Sequence, residues 1–370
     1  MRLKYKFSYY NLLPILSIFL ALIGLLFIYS ASFYSARINY GDAFYYVKKQ
    51  SISLVVGIVC MIVASKAKTE IYRKIKWVLF VASMILLALV FIPGLGMESY
   101  GATRWINLGF FTFQPSEFSK FGFMMFLAGY LSENPPFNLK NMVIPVLTAG
   151  IICGLIMAEP NMSITVVVGC SFLIMLFTSG IDKKWLIFLS IIVIVAGVVL
   201  IIVEPYRLKR LLAFLDPWQN PKAEGYQLIQ SYYAIGSGGL FGVGLFKSKQ
   251  KYLFLPFAES DFIFSVIAEE TGFAGALFVM AIFLLYFYVS YKIIKNADNR
   301  FDMLLGIGIT AITLVQTVVN FAVVTGCIPP TGVPLPFISA GGSSLVAFMF
   351  GTGILYNIAR NHSKKETIII

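Results

Sequence analysis

The chain has 370 residues, of which 59% are hydrophobic and 12% charged, with a mean hydropathy of +0.84 and a net charge of +12. Soluble domains carry roughly twice that share of charge, so the composition excludes a water-soluble fold and makes one helical membrane bundle the economical use of this length. The positive balance fits basic loops beside anionic headgroups, and no basic stretch has a groove-reading context that would make nucleic acid a partner.

The first apolar run, Leu12 to Phe33, is too long for the core of a cleavable signal and reads as a retained span. From there the hydropathy pattern predicts helices at about 11–33, 51–66, 76–93, 115–133, 142–158, 161–179, 184–203, 261–291, 303–325 and 337–359. The expected fold class is therefore all-α: a polytopic membrane helical bundle of ten transmembrane helices, with residues 1–370 as one domain. Placing the N-terminus in the cytoplasm puts Arg2, Lys4, Lys6, Lys66, Lys68, Arg73, Lys74, Lys76, Lys140, Lys183, Lys184, Lys292, Lys295, Arg300, Arg360, Lys364 and Lys365 inside. The short outside loops then hold only Arg37, Lys48, Lys49 and Arg104, as the positive-inside rule requires, and both termini are cytoplasmic. Segment 204–260 becomes a large fourth extracytoplasmic loop, expected to contain short helices.

Cys60, Cys153, Cys170 and Cys327 lie in or beside apolar runs without metal-like spacing and read as small core residues. The single histidine, His362, lies in the polar tail, which argues against a histidine metal site or a Ser-His-Asp triad. No metal site is expected from the sequence.

Segment 325–344, TGCIPPTGVPLPFISAGGSS, is rich in proline and glycine yet largely apolar. Backbone that cannot be helical is tolerated at membrane depth only where it is buried in protein or lines a wet cavity. The segment therefore marks a candidate site, with a plain loop between the last two helices as the alternative. Five acidic residues fall in or beside spans: Glu117, Glu159, Asp261, Glu269 and Glu270. Such groups usually face a bundle interior or a cavity. Glu117 and Lys120 share a helix face at i, i+3, just after Pro115 at a helix start; the pair is either structural or shapes a site. Asp261, where the long loop becomes a helix, either caps that helix or faces a cavity as a desolvated carboxylate, a better base. Glu269 and Glu270 lie two or more turns deeper, toward the inner half, and require a partner on another helix. Arg207, Lys209 and Arg210 flank the seventh helix, and Lys247, Lys249 and Lys251 alternate before Asp261. Both groups are either solvated or hold phosphates, which arginine does bidentately and lysine as a point charge.

Four stretches together carry a family resemblance: GATRWINLGFFTFQPSEFSK (101–120), FLDPWQNPKAEGYQLIQSYYAIGSGGLFGVGL (214–245), KQKYLFLPFAESDFIFSVIAEETGFAGAL (249–277) and TGCIPPTGVPLPFISAGGSS (325–344). In these motifs, their order and spacing, the chain resembles the SEDS family (shape, elongation, division and sporulation), nearer its FtsW and SpoVE members than RodA. The resemblance implies a peptidoglycan glycosyltransferase that polymerises lipid II at the outer face of the bacterial cytoplasmic membrane, releasing undecaprenyl pyrophosphate beside a class B penicillin-binding protein. It places the catalytic aspartate on Asp261 and the family's helix-four pair on Glu117 and Lys120. Arg104, Arg207, Arg210, Lys249, Gln250, Lys251, Ser339 and Ser343 are then the candidates for substrate and pyrophosphate binding. A divalent cation could assist departure of the diphosphate; no other cofactor is implied. Two stretches depart from the family pattern. Pro256-Phe257-Ala258-Glu259-Ser260-Asp261 lacks a usual glutamate at Phe257 and has Glu259 where histidine is usual. Glu159-Pro160-Asn161-Met162-Ser163 replaces a Gln-Pro-Asp-Leu-Gly pattern. A lipid II flippase and a non-catalytic scaffold are the rival readings.

Overall fold

The computed structural model describes residues 9–99, 102–107 and 112–368. Arg2, Lys4 and Lys6, and residues 101 and 108–111 of the first motif, lie outside the described residues, as do the side chains of His362, Lys364 and Lys365. In chain order the helices are α1 (Leu12–Tyr40), α2 (Tyr45–Lys66), α3 (Thr69–Lys74), α4 (Lys76–Leu89), α5 (Pro115–Glu133), α6 (Leu139–Ala158), α7 (Met162–Thr178), α8 (Lys183–Val203), α9 (Pro205–Leu215), α10 (Tyr226–Gly238), α11 (Ile263–Lys295), α12 (Arg300–Val324) and α13 (Gly342–Ile368). Each of the ten predicted helices has a counterpart, and α9 and α10 are the short helices of the long loop. Among the described residues, seven helices are long and apolar enough to cross a bilayer: α1, α2, α6, α8, α11, α12 and α13. Helices α4 and α7 are shorter apolar helices, and α5 carries Glu117, Lys120 and Glu133.

Local chemistry sets the boundaries. Pro115 opens α5, and the side chains of Asn161, Asp182 and Asn299 accept the first free amides of α7, α8 and α12. The third predicted helix, observed as α4, stops at Leu89 rather than residue 93, because Pro93 and the left-handed Gly94 (φ 87°) turn the chain. The following residues, expected to be a short outside loop, form a small antiparallel sheet of β1 (Gly96–Ser99), β2 (Ala102–Asn107) and β3 (Thr112–Phe113) in that order. Met97 pairs with Trp105, and Ile106 with Phe113.

Helix α5 lies at the centre, with Phe121 and Phe123 to Leu131 all buried, packed by α4, α12, α13 and α6. Helices α2 and α13 approach closely where Gly353 meets Met61; a Cβ there would stand 2.3 Å from the Met61 carbonyl oxygen. Helix α8 is the opposite case: Leu189 is its only buried residue, so its apolar sides are left to lipid.

Helix α11 is not straight. Gly272, at φ 70° and ψ −168°, divides it into residues 263–271 and 273–295. The rings of Phe264 and Phe283 both pack on Phe321, at 4.6 and 5.8 Å, whereas a straight helix would hold those two positions about 28 Å apart. The first part therefore folds back along the second. The break frees backbone groups that lipid cannot satisfy, and the loop after α10 pairs them. Val243 and Gly244 donate to the Glu269 and Glu270 carbonyls at 2.9 and 3.1 Å, and Phe273 and Ala274 donate to the Gly239 and Leu240 carbonyls at 2.9 and 3.1 Å.

Candidate active site

The proline-rich segment is non-helical through residue 341, and it is no surface loop. Val333, Leu335, Phe337 and Ile338 are at most 2% exposed. Its main chain is satisfied by polar side chains from surrounding helices. Gln316 Nε2 donates to the Pro334 carbonyl at 2.9 Å and Asn320 Nδ2 to Val333 at 2.7 Å. Gln50 donates to the Ser339 carbonyl and accepts from the Gly341 amide, both at 3.1 Å, and the Ser163 hydroxyl donates to Thr331. Irregular backbone buried in a bundle needs this kind of pairing.

The same side chains hold the chain at Asp261. Asn320 Nδ2 donates to the Asp261 carbonyl at 2.9 Å. The Ser339 hydroxyl donates to the Ser260 carbonyl at 2.7 Å while accepting the Leu335 amide at 2.8 Å, and the Ala340 amide donates to the Glu259 carbonyl at 2.9 Å. The Asp261 carboxylate accepts the Ser260 hydroxyl at 3.0 Å. It does not cap α11, whose N-cap position is Phe262 and has no side-chain hydrogen bond. Of the two readings left by the sequence, capping is thus removed. Gly332 faces the carboxylate closely; a Cβ there would stand 3.3 Å from Asp261 Oδ2.

Burial is the main influence on the Asp261 carboxyl and raises its pKa; the Ser260 hydrogen bond and the charges of Arg210 and Arg104 pull it back. Arg104 on β2 and Arg210 on α9 are thus both within electrostatic reach. Arg210 Nη1 donates to the Pro330 carbonyl at 3.4 Å, and Arg104 donates to the carbonyls of Glu159 and Pro160 at 3.1 and 2.5 Å. Burial also raises Glu259, with Asp261's charge adding to it. Glu159 is pushed up to about 8 by burial, against the pull of Arg104.

The Glu117–Lys120 pair forms as expected, at 2.8 Å and almost fully buried. Lys120 Nζ also donates to Gln316 Oε1 at 2.6 Å and lies 4.6 Å from the centre of the Phe348 ring. Because the Gln316 amide holds Pro334, the pair braces the proline-rich segment from below. Replacing Lys120 with methionine strands the Glu117 carboxylate, and breaking a buried pair in this way costs about 3–5 kcal/mol. The expected result is a large fall in the thermal unfolding midpoint, partly recovered by adding Glu117→Gln. An additive double variant would show that the two residues do not act as a pair.

A family model for cell cycle proteins of the FtsW, RodA and SpoVE type matches residues 10–364. The chain belongs to this family. It is 36% identical over 354 residues to stage V sporulation protein E of Bacillus subtilis, covering 94% of this chain and 96% of the relative. It is 38% identical over 369 residues to a probable peptidoglycan glycosyltransferase FtsW of Trichlorobacter lovleyi, covering 97% and 95%. Among solved structures it superposes on a chain described under structural coordination of polymerization and crosslinking by a peptidoglycan synthase complex, with a TM-score of 0.80, 28% identity and coverage of 98% and 99%. It also superposes on the rod shape determining protein RodA of Thermus thermophilus, with a TM-score of 0.72, 25% identity and coverage of 97% and 98%.

Against this family background, the site residues expected from the sequence separate into two groups. Asp261, Arg104, Arg210 and Ser339 come together, with Ser339 holding main chain. Of the others, Arg207, Ser343 and Lys251 are engaged elsewhere. Arg207 Nη1 binds the Leu200 carbonyl at 2.9 Å and closes the end of α8. Ser343 accepts the Gln114 amide at 3.1 Å and donates to the Thr112 carbonyl at 3.2 Å, tying β3 to α13. Lys251 is withdrawn from solvent, with Nζ 3.2 Å from Glu270 Oε1 and 2.5 Å from the Phe246 carbonyl oxygen. It is therefore a buried counter-ion and not a phosphate ligand. The Lys249 amide is held by Glu269 at 2.8 Å, while Gln250 Oε1 is buried without a hydrogen bond.

The expectation of a partner on another helix holds for Glu270 through Ser30 of α1, but most partners of Glu269 and Glu270 lie on the loop after α10. Glu270 accepts the Phe246 and Ser248 amides at 3.0 and 3.2 Å, Glu269 accepts the Ser248 hydroxyl at 2.5 Å, and only Ser30 of α1, at 2.5 Å from Glu270, comes from a separate span. The pair lies at the Gly272 break because that is where the loop amides need acceptors. The sequence reading overlooked Gln50, Gln316 and Asn320. All three are amides in apolar helices, and the test applied to acidic residues in spans would have found them.

Proposed function

We propose that the chain is a peptidoglycan glycosyltransferase that polymerises lipid II at the outer face of the cytoplasmic membrane, with Asp261 as the general base. The observation that carries this reading is a half-buried carboxylate that caps nothing, is held by Asn320 at its own carbonyl and by Ser339 at the preceding Ser260 carbonyl, and has two arginines within electrostatic reach. In the reaction Asp261 takes the proton of the acceptor sugar's 4-hydroxyl as that oxygen bonds to the donor's anomeric carbon. The bond from that carbon to the diphosphate breaks, and undecaprenyl pyrophosphate leaves. An α-linked donor gives a β-linked product, so one displacement with one base suffices, by analogy with inverting glycosidases. Arg210 and Arg104 are placed to stabilise charge on the leaving diphosphate. Among the described residues no three histidine, cysteine or acidic side chains converge.

The reading includes ten spans in a single membrane domain, cytoplasmic termini, segment 204–260 on the outer side, and lateral entry of the substrate's lipid tail among membrane lipids. The synthase-complex neighbour supports a class B penicillin-binding protein as partner. Purified chain with that partner in liposomes should convert lipid II into glycan strands. Transfer of labelled lipid II across the bilayer without polymer would instead favour a transporter, and partner binding without either activity a scaffold. The pH profile carries a sign. The base works unprotonated, and burial raises its pKa, so kcat/KM should fall on acidification at a pH above the ordinary aspartate range. A flat profile down to about pH 4, the unperturbed aspartate value, would count against Asp261 as the base.

A further inference from the structure

A second cavity, of about 300 Å³, opens between the outer ends of α1 and α2 and the chain that leads into Asp261. Its walls include Ser35 and Asn39 of α1, Tyr46 of α2, and Pro256, Phe257 and Glu259. It shares no wall residue with the cavity of about 320 Å³ at Arg210, Gln227 and Pro330. The chemistry of the two differs. The Arg210 cavity presents a guanidinium. The cation in the wall of the other, Lys251, is already engaged by Glu270, Ser30 and the Phe246 carbonyl, at 3.2, 3.3 and 2.5 Å. The other polar groups in its wall are the Ser35 hydroxyl, which donates to the Ser32 carbonyl at 3.1 Å and can still accept, the Asn39 amide and the Glu259 carboxyl, set among the Tyr46 and Phe257 rings and the aliphatic Leu253, Leu255 and Ala258. The rim continues this character: Tyr40 and Tyr45 stack at 3.8 Å, and Tyr46 stands edge-on to both, at 5.9 and 5.3 Å.

A pocket of this size with a few convergent polar groups and aromatic walls suits a small organic ligand. With its cation neutralised it does not suit a phosphate. Sugar rings match it, because their C–H faces lie against the negative faces of aromatic rings while their hydroxyl and acetamido groups meet amide, hydroxyl and carboxyl partners. Glu259 is two residues from Asp261 and feels its charge, and its carbonyl is pinned by the Ala340 amide, so the cavity wall is tied to the chain that carries the base. We propose that this cavity is a saccharide subsite for N-acetylated amino sugars of the glycan that lie away from the diphosphate. The proposal rests on the glycosyltransferase reading.

The test uses the full chain in detergent and a lipid-free tetrasaccharide of alternating N-acetylglucosamine and N-acetylmuramic acid, with binding followed by saturation-transfer NMR. Wild type and Asp261→Asn should both bind it. Asn39→Ala and Glu259→Gln should each weaken binding by about tenfold, which corresponds to about 1.4 kcal/mol, with unchanged thermal unfolding midpoints; Ser35→Ala serves if either variant fails to fold. With lipid II and the class B partner, a slowed first coupling would assign the subsite to the acceptor disaccharide. Shorter strands at an unchanged first coupling would assign it to the growing strand. Equal binding by wild type, Asn39→Ala and Glu259→Gln overturns the proposal, as does no binding by a wild type that polymerises. A wild type that makes no polymer would instead overturn the glycosyltransferase reading.

Discussion

Asp261→Asn is expected to fold, insert and bind its partner while polymerising lipid II at least about a thousandfold more slowly, within the 10²–10⁴ range of a general base. The substitution keeps the shape of the side chain, and the asparagine oxygen can still accept the Ser260 hydroxyl. The main-chain anchors from Asn320 and Ser339 do not involve the carboxylate. Stability should therefore move by no more than about 0.5 kcal/mol, and burial of a neutral amide removes a desolvation cost instead of adding one. Only the ability to take a proton is lost. Following lipid II consumption beside a thermal melt separates the two effects. A variant that polymerises at the wild-type rate would remove Asp261 from the chemistry, and one that melts far below wild type would make it structural.

A large structural effect, reaching the site itself, is expected at Gly272. Its φ of 70° and ψ of −168° belong to a region that residues with a Cβ avoid. An added Cβ would stand 2.3 Å from the Gly242 nitrogen and 2.6 Å from the Leu240 carbonyl carbon. Neither neighbour can yield easily, since this stretch pairs the carbonyls of Glu269 and Glu270 and the amides of Phe273 and Ala274. Gly272→Ala should cost about 1–3 kcal/mol in backbone strain alone, with the lost pairing in addition. It should also displace residues 263–271, at whose end Asp261 lies. We expect a lower melting midpoint, less monodisperse protein and lost polymerisation. Gly150→Ala is the matched control, because its Cβ would meet nothing within 4 Å. Equal melting of the two variants would mean that α11 tolerates straightening.

The positions of the helices and of Asp261 were legible in the sequence because both rest on local chemistry. Apolar runs, Pro115 at a helix start and Asn or Asp at helix starts act within a few residues. The proline-rich segment announced itself in the same way, since prolines and glycines cannot continue a helix wherever they lie. The helix predicted to run to residue 93 failed at Pro93 and Gly94, whose local signal outweighs the apolar residues before them.

The sequence by itself determined a bilayer protein of apolar helices, with a carboxylate where the long loop meets its helix. Only the tertiary structure decided which charges serve that carboxylate. Lys251 and Arg104 look alike as outer-face cations, yet Lys251 is consumed by Glu270 and by Ser30 from α1, while Arg104 remains near Asp261. Lys120 finds Gln316 across 196 residues of chain, and through it the Glu117 pair comes to support the Pro334 backbone. A buried charge takes whichever partner the packed helices bring within about 3 Å. That choice follows from how the helices cross and where α11 breaks, which periodicity and composition along one strand of sequence do not encode.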